Sequence, residues 1–256
     1  MNLNPVVLLT GPYSTLGAGI IVLPAKDPKA AILSVSAISS DGVANSTGFN
    51  TLFKGNTTFA AEGRVKTDFF ELTGHQLVGS MYSTKNYTSL QQNLRFIVQN
   101  GAIEQKEGSW CFYYDFDQYL YETKKGSDKG IGVFGRFGAS DGNPNPIHYF
   151  YSVGIRGKGV IPAHSMDQFG IGYYYIVIGN PALTGPLTTR DIFRDEQGVE
   201  GYYNFAVTQW MKLTPDIQVI RPGQKQELNV TTAPPTIIRN SMSTAFVMGL
   251  RLQLIF

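Results

Sequence analysis

Trp110-Cys111-Phe112-Tyr113-Tyr114-Asp115-Phe116-Asp117-Gln118-Tyr119-Leu120-Tyr121 decides the fold class. Trp110, Phe112, Tyr114, Phe116 and Leu120 share one parity, with Gln118 the exception. Tyr113, Asp115, Asp117, Tyr119 and Tyr121 share the other. Successive side chains of a strand point to opposite faces, so this stretch makes a strand with one apolar face and one carboxylate-bearing face.

The same period recurs outward along the chain. Phe59, Ala61, Val65 and Phe69 oppose Glu62, Arg64, Lys66 and Asp68. Ile147, Tyr149, Tyr151, Val153 and Ile155 oppose His148, Ser152 and Arg156. Val199, Tyr203, Phe205 and Val207 oppose Glu200, Tyr202, Asn204 and Thr208, and Met248, Leu250, Leu252, Leu254 and Phe256 oppose Gly249, Arg251 and Gln253. About eleven strands are predicted, over 14–24, 30–39, 57–70, 74–84, 109–122, 130–139, 146–157, 168–178, 198–209, 211–221 and 244–256. Gly/Pro/Asn-rich turns separate some of them, as at 141–146 and 158–167. Polar loops at 40–56, 85–108, 179–197 and 222–243 separate others, and a short helix fits within 88–99. Short and long connections mixed in this way suit an all-β, antiparallel up-and-down sheet of one domain.

Two architectures use such strands. A soluble β-sandwich or jelly roll, able to bind carbohydrate at a surface, buries the apolar face. A transmembrane β-barrel turns that face to lipid and lines its lumen with the polar one. Three features favour the barrel. Several runs span ten or more residues, whereas a soluble strand averages about five or six and a tilted membrane strand needs about 9–11. Aromatic residues gather near strand ends (Phe69, Phe70, Tyr119, Tyr121, Phe169, Tyr173, Tyr174, Tyr175, Tyr202, Tyr203 and Trp210), as interfacial girdles require. The strand Leu250-Arg251-Leu252-Gln253-Leu254-Ile255-Phe256 runs to the last residue.

Composition narrows the function. Of 256 residues, 43% are hydrophobic, which excludes disorder. Charged residues are 16%, against roughly a quarter in a soluble domain. A net charge of +2 gives no footprint for nucleic acid. The single Cys111 allows no internal disulfide and no thiolate metal cluster. No run of about 18 apolar residues is present, so no membrane helix is expected. Met1–Ser14 lacks a basic region, and Val6–Leu9 is too short for the apolar part of a signal peptide.

Catalytic and metal signatures are weak. Asp115 and Asp117 lie two apart on one strand face, about 6–7 Å, a spacing that fits many uses besides glycoside hydrolysis. His75, His148 and His164 have no metal-ligand spacing. Neither Gly17-Ala18-Gly19 nor Gly130-Ile131-Gly132 opens a helix, so neither is a nucleotide fingerprint. Four N-x-S/T triplets, at Asn45, Asn56, Asn86 and Asn229, fall in loops or at their edges and bear on function only in a eukaryotic secretory setting. No enzyme and no cofactor is predicted.

Four blocks, in order, resemble the carbohydrate-selective porins of the OprB family. The first is Gly132-Val133-Phe134-Gly135-Arg136-Phe137-Gly138 followed by Asp141-Gly142-Asn143-Pro144-Asn145-Pro146. The second joins Gly154-Ile155-Arg156-Gly157-Lys158-Gly159-Val160-Ile161-Pro162 to Phe169-Gly170-Ile171-Gly172-Tyr173-Tyr174. The third comprises Glu196-Gln197-Gly198-Val199-Glu200, Tyr203-Asn204 and Leu213-Thr214-Pro215-Asp216-Ile217-Gln218-Val219-Ile220-Arg221-Pro222. The fourth is Gly249-Leu250-Arg251-Leu252-Gln253-Leu254-Ile255-Phe256. The dense part of the resemblance covers residues 130–256, and the earlier strands fit more loosely.

The resemblance implies a sixteen-stranded barrel in the bacterial outer membrane that passes mono- and small oligosaccharides. Its partners would be the sugars, outer-membrane lipid and the barrel-assembly machinery. Members of the family are longer, so the chain is expected to represent the C-terminal portion of such a barrel, or a porin fragment without activity. The narrowest part of the family's pore uses elements near the N-terminus, which are expected to be missing here. The polar faces then supply a pore lining: Glu62, Arg64, Lys66, Asp68, Asp115, Asp117, Arg136, Arg156, Glu200 and Arg251, interleaved with Tyr113, Phe134, His148 and Tyr202. Five acids against five bases leave no net sign, which suits a neutral solute better than an ion. Leu250, Leu252, Leu254 and Phe256 would form the terminal strand presented for barrel assembly.

Overall fold

The computed structural model describes residues 4–11, 15–42, 45–50, 52, 55–184, 193–232 and 235–255. Its strands are β1 (Gly17–Val22), β2 (Ala31–Ser39), β3 (Thr57–Thr67), β4 (Gly74–Thr88), β5 (Gln91–Asn93), β6 (Gln105–Glu122), β7 (Gly130–Ser140) and β8 (Ile147–Lys158). They continue as β9 (Gln168–Ile178), β10 (Ala182–Thr184), β11 (Glu196–Ala206), β12 (Met211–Arg221), β13 (Gln226–Thr232), β14 (Pro235–Ser241) and β15 (Ala245–Leu254). Two short helices are α1 (Val7–Thr10) and α2 (Leu94–Asn100).

Eleven strands form one sheet in the order β1-β2-β3-β4-β6-β7-β8-β9-β11-β12-β15. Every neighbouring pair is antiparallel. It is a plain meander whose edge strands, β1 and β15, do not pair with one another among the described residues. The small strands lie outside it: β5 pairs with β10 in parallel, and β13 with β14 as an antiparallel ribbon. In a meander alternate connections fall at alternate ends. One end therefore carries the short turns, and the other carries the long connections with β5, α2, β10 and the β13–β14 ribbon.

The eleven predicted strands are these eleven, in order, with local differences. β3 stops at Thr67, because Phe70 and Glu71 take φ of 57° and 62° and fold a 3-10 turn at Phe69–Glu71. That removes Asp68 from the ladder. β4 and β6 extend beyond the predicted limits and leave only 89–104 as their connection. The short helix is α2, capped by Asn93 Oδ1 accepting from the Arg95 N–H at 3.0 Å and ended by Gly101 at φ 63°. The span 222–243, predicted as loop, holds the β13–β14 ribbon.

The sheet is inside out by the standard of a soluble protein. Met248, Leu250 and Leu252 are 73%, 70% and 58% exposed, and Val78, Val153, Ile155 and Ile171 share their side of the sheet. The chain's accessible surface is 16169 Å², where a soluble monomer of its mass would show about 11,000 Å². Among the described residues no second sheet covers the apolar face. This overturns the β-sandwich and jelly-roll alternative, which needs two sheets packed face to face.

Aromatic rings gather on the outer face at both ends. Phe169, Tyr203 and Phe205 stack near the short turns, with centroids 6.3 and 4.2 Å apart. Phe137, Tyr149 and Tyr151 cluster near the long connections. Three of the predicted girdle residues, Tyr119, Tyr174 and Tyr202, face the opposite way. The reason is parity: in a run such as Tyr173-Tyr174-Tyr175 only alternate rings can share a face.

The β8–β9 turn is held by Asp167. Its carboxylate accepts from the Ala206 N–H at 2.9 Å and the Tyr203 hydroxyl at 2.9 Å, and stands 3.1 Å from His164 Nδ1. Burial pushes this carboxyl up, but those hydrogen bonds and the imidazole outweigh it and hold it below the usual carboxylate range. A lowered folded-state pKa gives stability that is present above the unfolded value and lost as pH falls through the folded one. Asp167→Asn should therefore cost about 1.5–3 kcal/mol at pH 6. The gap from wild type should close below about pH 4. Urea-unfolding midpoints of the detergent-solubilised protein across that range would check this.

Candidate functional site: a charged concave wall

The inner face of the sheet bounds a cavity of about 1170 Å³. Register places its side chains in rows across the strands. One row runs Arg64, Leu77, Asp115, Arg136, Ser152, Tyr174 from β3 to β9. The next runs Lys66, His75, Asp117, Phe134, then Gly154, Gly172, Glu200 and Gln218 from β3 to β12. A third runs Arg156, Gly170, Tyr202, Asp216, Gly249 from β8 to β15. Arg251 follows on β15, opposite Thr214.

Opposite charges meet along these rows. Asp117 lies between His75 Nδ1 at 3.2 Å and Arg156 Nη2 at 2.8 Å, and the Arg156 guanidinium stands 6.0 Å from the Tyr119 ring centroid. Asp115 faces Arg136 across the β6–β7 ladder. The cavity wall carries the bases Arg64, Arg136, Arg156, Lys212 and Arg251 against the acids Asp115, Asp117, Glu200 and Asp216. A field of mixed sign wets the surface without selecting a cation or an anion.

Of the fourteen pore-lining candidates, nine line this cavity: Arg64, Asp115, Asp117, Phe134, Arg136, Arg156, Glu200, Tyr202 and Arg251. Glu62 stands nearer the long connections and accepts from the Tyr113 hydroxyl at 2.8 Å. Lys66 reaches Asp68, 3.8 Å away, which sits in the turn beyond β3 with its side chain 69% exposed. His148 falls at an irregularity in the β8–β9 register and lies over Gly142 and Gly179, away from the cavity. Leu250, Leu252 and Leu254 are exposed on the outer face of β15, and Phe256 lies outside the described residues. His75, Lys212 and Asp216 also line the wall, although they are not among the fourteen pore-lining candidates. The period-two rule that found the others applies to them unchanged.

One feature of the wall lies beyond any local pattern. Residues 4–11 pack against the inner face at the end of the long connections. Val6 is fully buried there with Cys111, Phe150 and Ile176, the only buried hydrophobic cluster among the described residues. Asn4 Nδ2 donates to the Phe137 carbonyl at 3.0 Å, and Asn145 Nδ2 donates to the Val6 carbonyl at 2.9 Å. Thr58 Oγ1 donates to the Thr10 carbonyl at 3.1 Å, while Thr10 and Ser109 share a hydroxyl contact at 3.4 Å. Gly138 leaves the room: a Cβ there would collide with Asn4 and Val6. Residues 4–11 thus form an inward-packed segment that covers part of the inner face. Only the fold reveals that Val6 of this apolar run is buried against the wall while Leu8 stays exposed.

The comparisons with known proteins agree with this geometry. A family model described as carbohydrate-selective porin, OprB family, matches residues 9–256. Two solved structures are similar. The high-pH structure of Pseudomonas putida OprB superposes with a TM-score of 0.71 at 18% identity, over 93% of this chain and 58% of that one. The low-pH structure of the same protein gives 0.57 at 16% identity, over 93% and 54%. The chain thus spans less than two thirds of the length of either. None of the curated proteins compared with the chain matches it.

The inward segment shields Cys111, which is 1% exposed. Val6→Asp should free the segment, because a carboxylate cannot stay unpaired in that cluster. Maleimide labelling of Cys111 in the detergent-solubilised protein should then quicken by roughly tenfold or more, in line with a cost of at least about 1.4 kcal/mol. Val6→Ile should leave the rate near that of wild type.

Proposed function

The chain belongs to the carbohydrate-selective porin family, OprB, and on that premise we propose that it builds the wall of a sugar-conducting channel in the bacterial outer membrane. The observation that carries this reading is the inversion of the sheet, with aliphatic side chains outside and a charge-balanced wall inside. Lipid covers the outer face. The inner face lines a water-filled path along which mono- and small oligosaccharides diffuse down their gradient. The family is one of channels rather than enzymes, and diffusion of this kind uses no cofactor and no energy source.

The pore lining comprises Glu62, Arg64, Lys66, Asp68, Tyr113, Asp115, Asp117, Phe134, Arg136, His148, Arg156, Glu200, Tyr202 and Arg251. A neutral sugar trades hydrogen bonds with water for hydrogen bonds with these groups at little net cost. An ion meets alternating signs and gains no sustained attraction. Asp68 and His148 belong to the two mouths of the path rather than to its middle. Residues 4–11 narrow the path from the side of the long connections. The chain acts as one barrel domain, and its last strand, with Leu250, Leu252, Leu254 and Phe256, is the one the barrel-assembly machinery recognises.

Proteoliposomes holding the folded full chain should take up labelled glucose, with rates falling steeply from mono- to trisaccharide. Folded protein that passes no sugar would overturn the reading and leave a porin fragment without activity. The face assignment has its own check. Leu252→Arg should weaken insertion by about 2–4 kcal/mol if its position is near the bilayer midplane, whereas Arg251→Leu should not. Equal losses for the two variants, measured as the fraction inserted from urea into lipid vesicles, would refute the assignment of faces.

A further inference from the structure

Four aromatic rings on the inner wall, those of Tyr113, Phe134, Tyr174 and Tyr202, rest on glycines of neighbouring strands. On a sheet a side chain ordinarily stands away from the surface. Phe134, on β7, instead leans across β8 towards β9. A Cβ on Gly154 would collide with the tip of its ring, and one on Gly172 would stand 3.3 Å from the same atom. The ring therefore occupies the space that two adjacent strands leave free by carrying no side chain. Tyr202 covers Gly170 and Tyr174 covers Gly198 in the same manner. Glycine in a strand costs stability, so a bed of inward glycines under rings calls for an explanation, and close packing of a ring on backbone supplies one.

What surrounds Phe134 adds a second observation. The ring is half-buried and lines the cavity. Asp117 stands opposite Phe134 in register, bound to Arg156 at 2.8 Å. Glu200 stands opposite Gly172, at the far side of the ring. Ser152 and Arg156 flank Gly154 along β8. An apolar surface lying along the wall is thus edged by hydroxyl, carboxylate and guanidinium groups. A pyranose has that division of chemistry, with axial C–H groups on its ring face and hydroxyls at its rim. Tyr113 is hydrogen-bonded to Glu62 and packed against the cluster at Val6, Tyr174 gives its hydroxyl to Glu196 at 3.0 Å, and His148 lies off the cavity.

We propose that Phe134, laid over Gly154 and Gly172, is a stacking platform for the C–H face of a neutral pyranose, with Asp117, Arg156 and Glu200 meeting its hydroxyls. The proposal rests on the channel reading above and goes beyond it, by giving the path a saturable sugar subsite.

The test is saturation-transfer NMR on the full chain in detergent micelles, with methyl β-D-glucopyranoside as probe and the aromatic protons irradiated. H1, H3 and H5 of this sugar lie on one face and should receive most of the transfer. Phe134→Leu keeps apolar bulk without a ring. It should weaken binding about three- to tenfold and abolish the facial pattern, and Phe134→Tyr should restore both. Transfer spread evenly over the wild-type probe would overturn the proposal without any variant. Binding unchanged within about twofold in a folded Phe134→Leu protein would overturn it as well. Either result leaves the channel reading standing wherever the proteoliposomes pass glucose. Wild-type protein that passes no sugar removes the channel reading and this proposal together.

Discussion

The antiparallel ladder between consecutive strands is the constraint on which the rest of the structure depends. Each wall strand takes its hydrogen bonds from the strand next to it in sequence, from β1 through to β15. Because the ladder satisfies the backbone of the strands between the two edges, the outer side chains there are free to be aliphatic. Because strand side chains alternate, every outward Val, Leu or Ile obliges its neighbours to face inward. The charge of the inner wall and the greasiness of the outer one are two consequences of one periodicity.

Packing on the inner face divides the wall into two regions. Near the long connections the inner face is covered by residues 4–11, and the buried groups there are hydroxyls, amides and a few hydrophobics. Towards the short turns the wall is open and charged, with Asp117 shared by His75 and Arg156. The glycine-bedded Phe134 lies within this charged stretch, in register with Asp117. A solute moving along this surface would pass from a narrowed stretch to a charged one with an aromatic floor.

Much of this was legible in the sequence. Alternation alone located the eleven wall strands in order and set which side chains share a face, because the rule needs nothing beyond the pleat of a strand. The positions of Arg64, Asp115, Asp117, Arg136, Arg156 and Glu200 on one wall follow from parity together with sequential pairing. His75, Lys212 and Asp216 obey the same rule and were within its reach. Asp68 lies in a turn rather than in β3, because positive φ at Phe70 and Glu71 breaks the predicted strand and neither residue type announces that conformation. Tyr119, Tyr174 and Tyr202 were read with the outward girdle rings because composition does not record which ring of a run points outward.

By itself, then, the chain's sequence determined an all-β meander with one apolar and one polar face, since both are properties of single strands and their immediate neighbours. Only the tertiary structure decided which groups meet: that Asp117 finds both His75 and Arg156, that Val6 is covered by Phe150 and Ile176, and that Phe134 lies on Gly154 and Gly172. Those contacts join residues as many as 170 positions apart, from Val6 to Ile176. They depend on register and on the curvature of the sheet, which accumulate over many strands and are written in no one of them.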